Sequence, residues 1–329
     1  MTEQRGIRAL VTGAGGFIGS HLVEALVRAG VTTRALLKYN GRGESGKFAE
    51  LPREIQAAVE CRWGDVRDPY FVDEAVAGCD WVFHLAALIG IPYSYAAPAD
   101  YLATNLNGTL HVLQACRRHS VQRLLQTSTS EVYGTAQQTP MTEQHPLSPQ
   151  SPYAASKVAA DALALSFHRS FGTPVVIVRP FNTYGPRQSM RAILPTILGQ
   201  LLFADRLELG AVHPRRDLTF VTDTAAGFVQ IAQAAAVEGR TIHLGSQQSI
   251  SMGELAELCQ RRLGTQKPLV VQSERLRPEA SEVDELLASR QLARELVGWS
   301  PTVSLDEGIS RTAEYLRQHP PERPSSYAI

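Results

Sequence analysis

Three groups of residues in this 329-residue chain have types and spacings that can do chemistry. Thr129, Ser130 and Glu131 lie in the stretch LLQTSTSEVYG, where an apolar run ends in hydroxyl side chains and a single carboxylate. Small polar residues at the end of a strand commonly open onto the active site of an α/β protein, so the lone carboxylate is a candidate to act on a substrate. Tyr153 and Lys157, in SPYAASKVAADALALSF, stand at i and i+4 and so share one face of a helix. Ser151 as cap and Pro152 at the first helical position mark where that helix begins. An ammonium beside a phenol, together with the positive charge of a bound nicotinamide, lowers the phenol's pKa, which would let Tyr153 act as a base toward a hydroxyl. Gly13, Gly16 and Gly19, in LVTGAGGFIGSHL, fall between the first apolar run and the first helical pattern. Glycines there permit a tight turn and bring a pyrophosphate close to helix-terminal N–H groups. The glycine turn and the Tyr–Lys pair each have a plain alternative as well: a ligand-free turn and a packing pair.

A dinucleotide loop of this kind is ordinarily followed, after the second strand, by an acid that holds the adenosine ribose. Here TTRALLKYNGRG places Lys38 near that position, with Arg34 and Arg42 close by and no carboxylate before Glu44. A cation suits a 2′-phosphate better than a bare hydroxyl, which favours NADP over NAD, unless these are solvated surface charges. Asp65, in WGDVRD, is placed to hydrogen-bond the adenine, or is a turn aspartate.

The elements that must position these residues are legible as alternation. The runs IRALVT, TTRALL, AVECRWGD, DWVFHLAA, VQRLLQTS and PVVIVRP read as strands, with helical patterns between them. Apolar runs without polar alternation indicate a parallel sheet covered by helices on both faces. The expected fold is α/β, a doubly wound parallel sheet over residues 1–180 with a smaller C-terminal α/β region. That region takes 181–216 and 247–329, with a return to the first domain at about 217–246.

The composition narrows the function. Lys+Arg 32 balance Asp+Glu 32, so there is no basic footprint for nucleic acid or a membrane surface. With 44% hydrophobic residues the chain can bury a large core, and small-molecule chemistry is the class that remains. Cys61, Cys79, Cys116 and Cys259 lack zinc or disulfide spacing and read as reduced core thiols. The nine histidines show no ligand spacing, so no metal is expected. No apolar run is long enough for a signal or membrane span, and the expected location is the cytoplasm.

Taken together, T-G-x-x-G-F-I-G, His84-Leu85-Ala86-Ala87, N-x-x-G-T at Asn105–Thr109 and Y-x-x-x-K resemble the extended short-chain dehydrogenase/reductases that modify nucleotide sugars, along essentially the whole chain. The resemblance implies a Rossmann domain carrying NAD(P), a smaller domain holding the nucleotide sugar, and a homodimer built through a four-helix bundle. It implies cofactor contacts from Gly13, Gly16, Phe17, Ile18, Gly19, Lys38, Asp65, Val66, Leu85, Ala86, Ala87, Tyr153 and Lys157, with Tyr153 as base and Lys157 as its partner. Asn182, Arg187, Arg216 and Arg277 match positions that bind the substrate, where guanidinium forks suit phosphate oxygens.

Within the family, 4-epimerases resemble S-S-A/S before V-Y-G, whereas Thr129-Ser130-Glu131 resembles the T-D-E or T-S-E of 4,6-dehydratases. That likeness implies Glu131 as the base at C5 and Thr129 as the group that positions O4. Ser130 stands where dTDP-glucose dehydratases carry an aspartate acid, so the likeness leaves the acid unassigned, with Glu131 as a candidate to relay the proton itself. The wider wording is most similar to dehydratases of legionaminate-type pathways and implies an N-acetylhexosamine nucleotide. UDP-glucuronate decarboxylases share T-S-E-V-Y-G, so decarboxylation stays open, as do 4-epimerisation and a non-catalytic NAD(P)-binding sensor or scaffold.

Overall fold

The computed structural model describes residues 6–273 and 282–322. Seven parallel strands form the main sheet: β1 (Arg8–Thr12), β2 (Thr32–Lys38), β3 (Val59–Gly64), β4 (Trp81–His84), β5 (Arg123–Thr127), β6 (Val175–Pro180) and β10 (Thr241–Leu244). Their order is β10-β6-β5-β4-β1-β2-β3. The direction of winding reverses between β1 and β4, and a crevice opens beyond the carboxyl ends of strands at such a point. Strands buried on both faces read as continuous apolar runs; β6, VVIVRP, is buried at all six positions.

Helices α1 (Phe17–Arg28), α2 (Arg53–Ala57), α3 (Pro69–Val76), α4 (Ile91–Ala96), α5 (Pro98–Tyr101), α6 (Gly108–Arg118) and α7 (Pro152–Phe171) connect these strands. Between α5 and α6 the chain takes a π-helical turn, Leu102–Asn107. Helix α7 begins where Ser151 accepts from the Ala154 N–H, with Pro152 at its first turn, and ends at Gly172 in the left-handed region at φ +68°. One face of the sheet buries Leu22, Leu26, Phe83 and Phe228, and the other buries Val72, Val112, Leu113 and Phe167.

The second region starts at β7 (Asn182–Tyr184) and includes α8 (Ile193–Phe203), β8 (Leu207–Leu209) and β9 (Arg215–Phe220). After α9 (Val221–Gln233) and β10 it resumes with β11 (Ser249–Ser251), α10 (Met252–Leu263), β12 (Leu269–Val271) and β13 (Glu285–Leu286), then α11 (Gln291–Val297) and α12 (Leu305–Gln318). Strand β9 pairs with β7, β11 and β13, and a separate core gathers Tyr184, Leu198, Phe220, Leu255 and Ile309. Two boundaries differ from the sequence division. The return to the main sheet is α9 and β10, since β9 belongs to the small sheet. Ala293 of α11 and Trp299 enter the main sheet's core, because Trp299 Nε1 donates to the Asp223 carbonyl on α9 at 2.9 Å.

Candidate active site

A cleft of about 830 Å³ runs between the main sheet and the second region. Its walls carry Gly13, Gly16, Phe17, Ile18, Gly19, Lys38, Asp65, Val66, Leu85, Ala86 and Ala87 at one end, and Thr129, Glu131, Tyr153, Lys157, Asn182 and Arg216 farther along. The fold therefore brings into one cavity residues that lie more than two hundred positions apart.

The glycine turn is built for close approach. Gly13 has φ +71°, and a Cβ on it would come within 2.8 Å of Ala86 N; one on Gly15 would come within 2.7 Å of the Ser45 carbonyl. Gly19 faces the Gly13 carbonyl so closely that an added Cβ would lie 2.1 Å from that oxygen. Asn182 Oδ1 and Thr127 Oγ1, both on cleft-lining residues, are buried without a hydrogen-bond partner in the structure. A cavity lined by a helix N-terminus and by unpaired buried polar atoms fits a dinucleotide and a second polar ligand.

The floor of the cleft is tied by buried hydrogen bonds. Thr12 Oγ1 accepts from Leu85 N and Ala86 N at 3.1 Å and shares a 2.8 Å bond with His84 Nδ1. His84 Nε2 meets Thr109 Oγ1 at 3.1 Å. Asn105, in the π-helical turn, accepts from Leu88 N at 2.8 Å and donates to Leu88 O at 3.0 Å and Ser156 Oγ at 2.9 Å. Asn105 thus clamps the 85–91 loop to α7; the N-x-x-G-T motif marked it in the sequence, but without that role.

Tyr153 and Lys157 are both buried at the cleft wall, and the Tyr101 ring packs edge-on against Tyr153 at 6.2 Å. Burial pushes the Tyr153 phenol above its ordinary range, opposed by a hydrogen bond with Thr129 and reinforced by the nearby Glu131 charge. Burial likewise brings Lys157 down to about 8, with Asp161 acting the other way. The polypeptide by itself therefore does not lower the Tyr153 phenol, and the expected lowering rests on the positive charge of a bound nicotinamide acting together with the Lys157 ammonium. Thr129 also caps the short turn that presents Glu131, accepting from its N–H at 3.3 Å.

Several sequence expectations change. Ser130 is 3% exposed and does not line the cleft, because the turn at 130–133 points its side chain inward. Arg187 does not line it either. Its guanidinium donates to Glu24 Oε2 at 2.6 Å and to Ser20 Oγ at 3.3 Å on α1, and the neighbouring Pro186 carbonyl is held by His21 at 3.0 Å. Arg34 is buried on β2, donating to the Ala75 and Ala77 carbonyls and pairing with Glu60 at 3.0 Å, and Arg42 is exposed beside Glu44. Lys38 alone of the three lines the cleft, where it contributes, behind the dominant Arg67, to holding Asp65 below the usual carboxylate range. Arg216 lines the cleft with its guanidinium engaged by the Val283 carbonyl at 2.7 Å and Glu282 at 3.4 Å. Arg277 lies outside the described residues. Arg191, which the sequence gave no reason to select, adds an exposed cation to the cleft wall.

The family model described as GDP-mannose 4,6 dehydratase matches residues 10–312. The chain belongs to the NAD-dependent epimerase/dehydratase family of short-chain dehydrogenase/reductases. Its relatives in that family include a dTDP-glucose 4,6-dehydratase of an Actinoplanes species, 32% identical across 94% of this chain and 98% of that one. An uncharacterised UDP-glucose epimerase of Bacillus subtilis is 30% identical over 94% of this chain and 98% of its own. Among solved epimerase/dehydratase structures, the dTDP-glucose 4,6-dehydratase of Streptomyces venezuelae, with NAD bound, superposes with TM-score 0.86 at 29% identity, covering 96% of this chain and 98% of that one. A UDP-glucuronic acid 4-epimerase of Bacillus cereus, with UDP-glucuronic acid and NAD, gives TM-score 0.86 at 27% identity over 95% and 100%. Among the described residues no helix is long and apolar enough to cross a membrane.

Proposed function

We propose that this family member is a nucleotide-sugar 4,6-dehydratase, converting a nucleoside-diphosphate hexose or N-acetylhexosamine to its 4-keto-6-deoxy form. The observation that carries the reading is Glu131: a carboxylate on the cleft wall, near enough to Tyr153 to raise its pKa, in a family where hydride exchange at C4 alone needs no acid there. A bound dinucleotide would supply a transient hydride store, taking the hydride of C4 and giving it back at C6. Tyr153 takes the proton of the sugar 4-hydroxyl, and Thr129, already bonded to Tyr153, orients O4. The resulting ketone makes the C5 hydrogen acidic, and Glu131 removes it as the C6 hydroxyl departs. With Ser130 turned inward, Glu131 itself passes that proton to the leaving hydroxyl, and a proton from solvent takes its place at C5.

The solved relatives named above carry NAD, and Lys38 is what supports the 2′-phosphorylated cofactor here. Asn182 and Arg216 are the side chains offered to the substrate diphosphate. We assign the protein to a homodimer through α6 and α7, supported by Leu102 and Phe171, each 49% exposed on or beside these helices. A second reading, decarboxylation of a nucleotide-linked uronate, is supported by Arg191, whose charge reaches Tyr101 beside Tyr153.

The product formed in heavy water separates the readings. Dehydration gives a 4-keto-6-deoxy sugar with deuterium at C5 and the original C4 hydrogen on the C6 methyl group, and Glu131→Gln stops the reaction at the C4 ketone. A pentose from a glucuronate donor, or a 6-hydroxy epimer without deuterium at C5, would overturn the assignment of Glu131.

A further inference from the structure

Behind the wall that carries Thr129, one buried carboxylate serves two cations. Asp161 stands one turn beyond Lys157 on α7 and is 2% exposed. Its Oδ2 accepts from Ser128 Oγ at 2.5 Å, from Arg179 Nη2 at 2.9 Å and from Arg179 Nε at 3.3 Å. Arg179, on β6, also donates to Tyr133 Oη at 2.6 Å, and that oxygen meets His243 Nε2 at 2.6 Å. The other carboxylate oxygen, Oδ1, is enclosed without a hydrogen-bond partner in the structure. A charge so deep is retained where opposite charges face it. Arg179 is one; Lys157, four residues earlier on the same helical face and 4% exposed, is the other.

We propose that Asp161, fixed by Ser128 and Arg179, is a positioning residue whose carboxylate keeps Lys157 an ammonium beside Tyr153 and thereby sets the alkaline limit of the reaction. This rests on the reading of Tyr153 and Lys157 given above. The other groups around Lys157 do not replace Asp161. Tyr153 on its own helix and Tyr101 from α5 are neutral phenols above their ordinary range through burial. His84, at the end of β4, is brought down to about 3 by burial and then by Lys157 itself, so it stays uncharged. Glu131 opens to the cleft and gains a proton during turnover. Glu143 lies beyond Tyr133, beside the His243 backbone at 3.1 Å, and His243 is brought to about 3 by burial and Arg179. Asp161 is the enclosed anion that accompanies Lys157 throughout.

The test uses the cofactor-loaded enzyme with lysines labelled with carbon-13 at Cε, the Lys157 signal being assigned with Lys157→Met. Its titration reads the proton without substrate, and the alkaline limb of the kcat–pH profile reads it in turnover. Asp161→Asn lowers both midpoints by about one pH unit or more, the size of one close opposite charge. Arg179→Met, which leaves Asp161 to Lys157 alone, raises both, and Asp161→Glu keeps them near the wild-type values. If Asp161→Asn does not fold, the upward shift in Arg179→Met decides the matter. A role confined to packing lowers kcat in all three variants without moving the Lys157 signal, and that result overturns the proposal. Shifted signals in a protein that turns over no nucleotide sugar would instead reject the dehydratase reading and leave the role of Asp161 standing.

Discussion

Replacing Gly19 by alanine probes the cofactor loop where its geometry is tightest. The new Cβ would lie 2.1 Å from the Gly13 carbonyl oxygen and 2.9 Å from its carbon, whereas ordinary contact begins at 3.4 Å. The shortfall is 1.3 Å, and it must be taken up by moving either the turn or the first turn of α1. Gly13 cannot retreat, because its own Cα side abuts Ala86 and its carbonyl accepts from Gly16 N at 2.9 Å. Overpacking of this kind costs about 1–3 kcal/mol of stability. Rotating the helix N-terminus also misaims the N–H groups offered to a pyrophosphate. Losing one charge-assisted hydrogen bond, worth about 1.5–3 kcal/mol, weakens dinucleotide binding roughly tenfold to a hundredfold. Calorimetric titration with NAD+ and NADP+, alongside thermal unfolding of the free protein, measures both effects. A folded Gly19→Ala protein that binds the dinucleotide as tightly as the wild type would refute the argument that this contact shapes the phosphate site.

Tyr153→Phe removes the proton acceptor but keeps the ring packed on Tyr101; turnover falls about a hundredfold or more with nucleotide-sugar binding nearly unchanged, and a near-normal rate would release Tyr153 from its role. A Lys38 contact with a 2′-phosphate makes NADP+ bind about tenfold tighter than NAD+, a difference that Lys38→Ala erases; equal affinities in the wild type would assign the cofactor to NAD. Burial holds His21 at about 4 and His84 and His243 at about 3, all below the unfolded value of about 6.5, so the unfolded state binds more protons. Their contribution is therefore complete above about pH 6.5 and declines as the pH falls toward 4 and 3, by up to about 1.4 kcal/mol per unit for each histidine. Urea midpoints at pH 7.5 and 5 should differ accordingly, and equal midpoints would show that these rings are not buried neutral.

Much of this protein is written in short-range signals. The strand-turn-helix at Gly13–Gly19, the Ser151–Pro152 start of α7 and the four-residue spacing of Tyr153 and Lys157 depend on backbone conformation and helical periodicity, which neighbouring residues set. The parallel sheet was legible for the same reason, since strands buried on both faces must be apolar throughout. Side-chain direction and pairing were decided only by the fold. Whether Arg187 reaches a substrate or Glu24 depends on α1 lying beside the 185–187 turn, more than 160 residues away in sequence. Arg34 and Lys38 sit on one strand, yet only Lys38, at the strand end, reaches the cleft, while Arg34 is consumed by carbonyls at the C-terminal end of α3. Ser130 and Glu131 are adjacent, and a single tight turn sends one inward and the other to the cavity. The charge state of Lys157 is set by burial together with Asp161, itself fixed by a guanidinium from another strand. Local sequence specifies elements and their exposed faces, but which charges meet follows from how distant elements pack, because electrostatic and hydrogen-bond energies depend on distances that only the assembled structure defines.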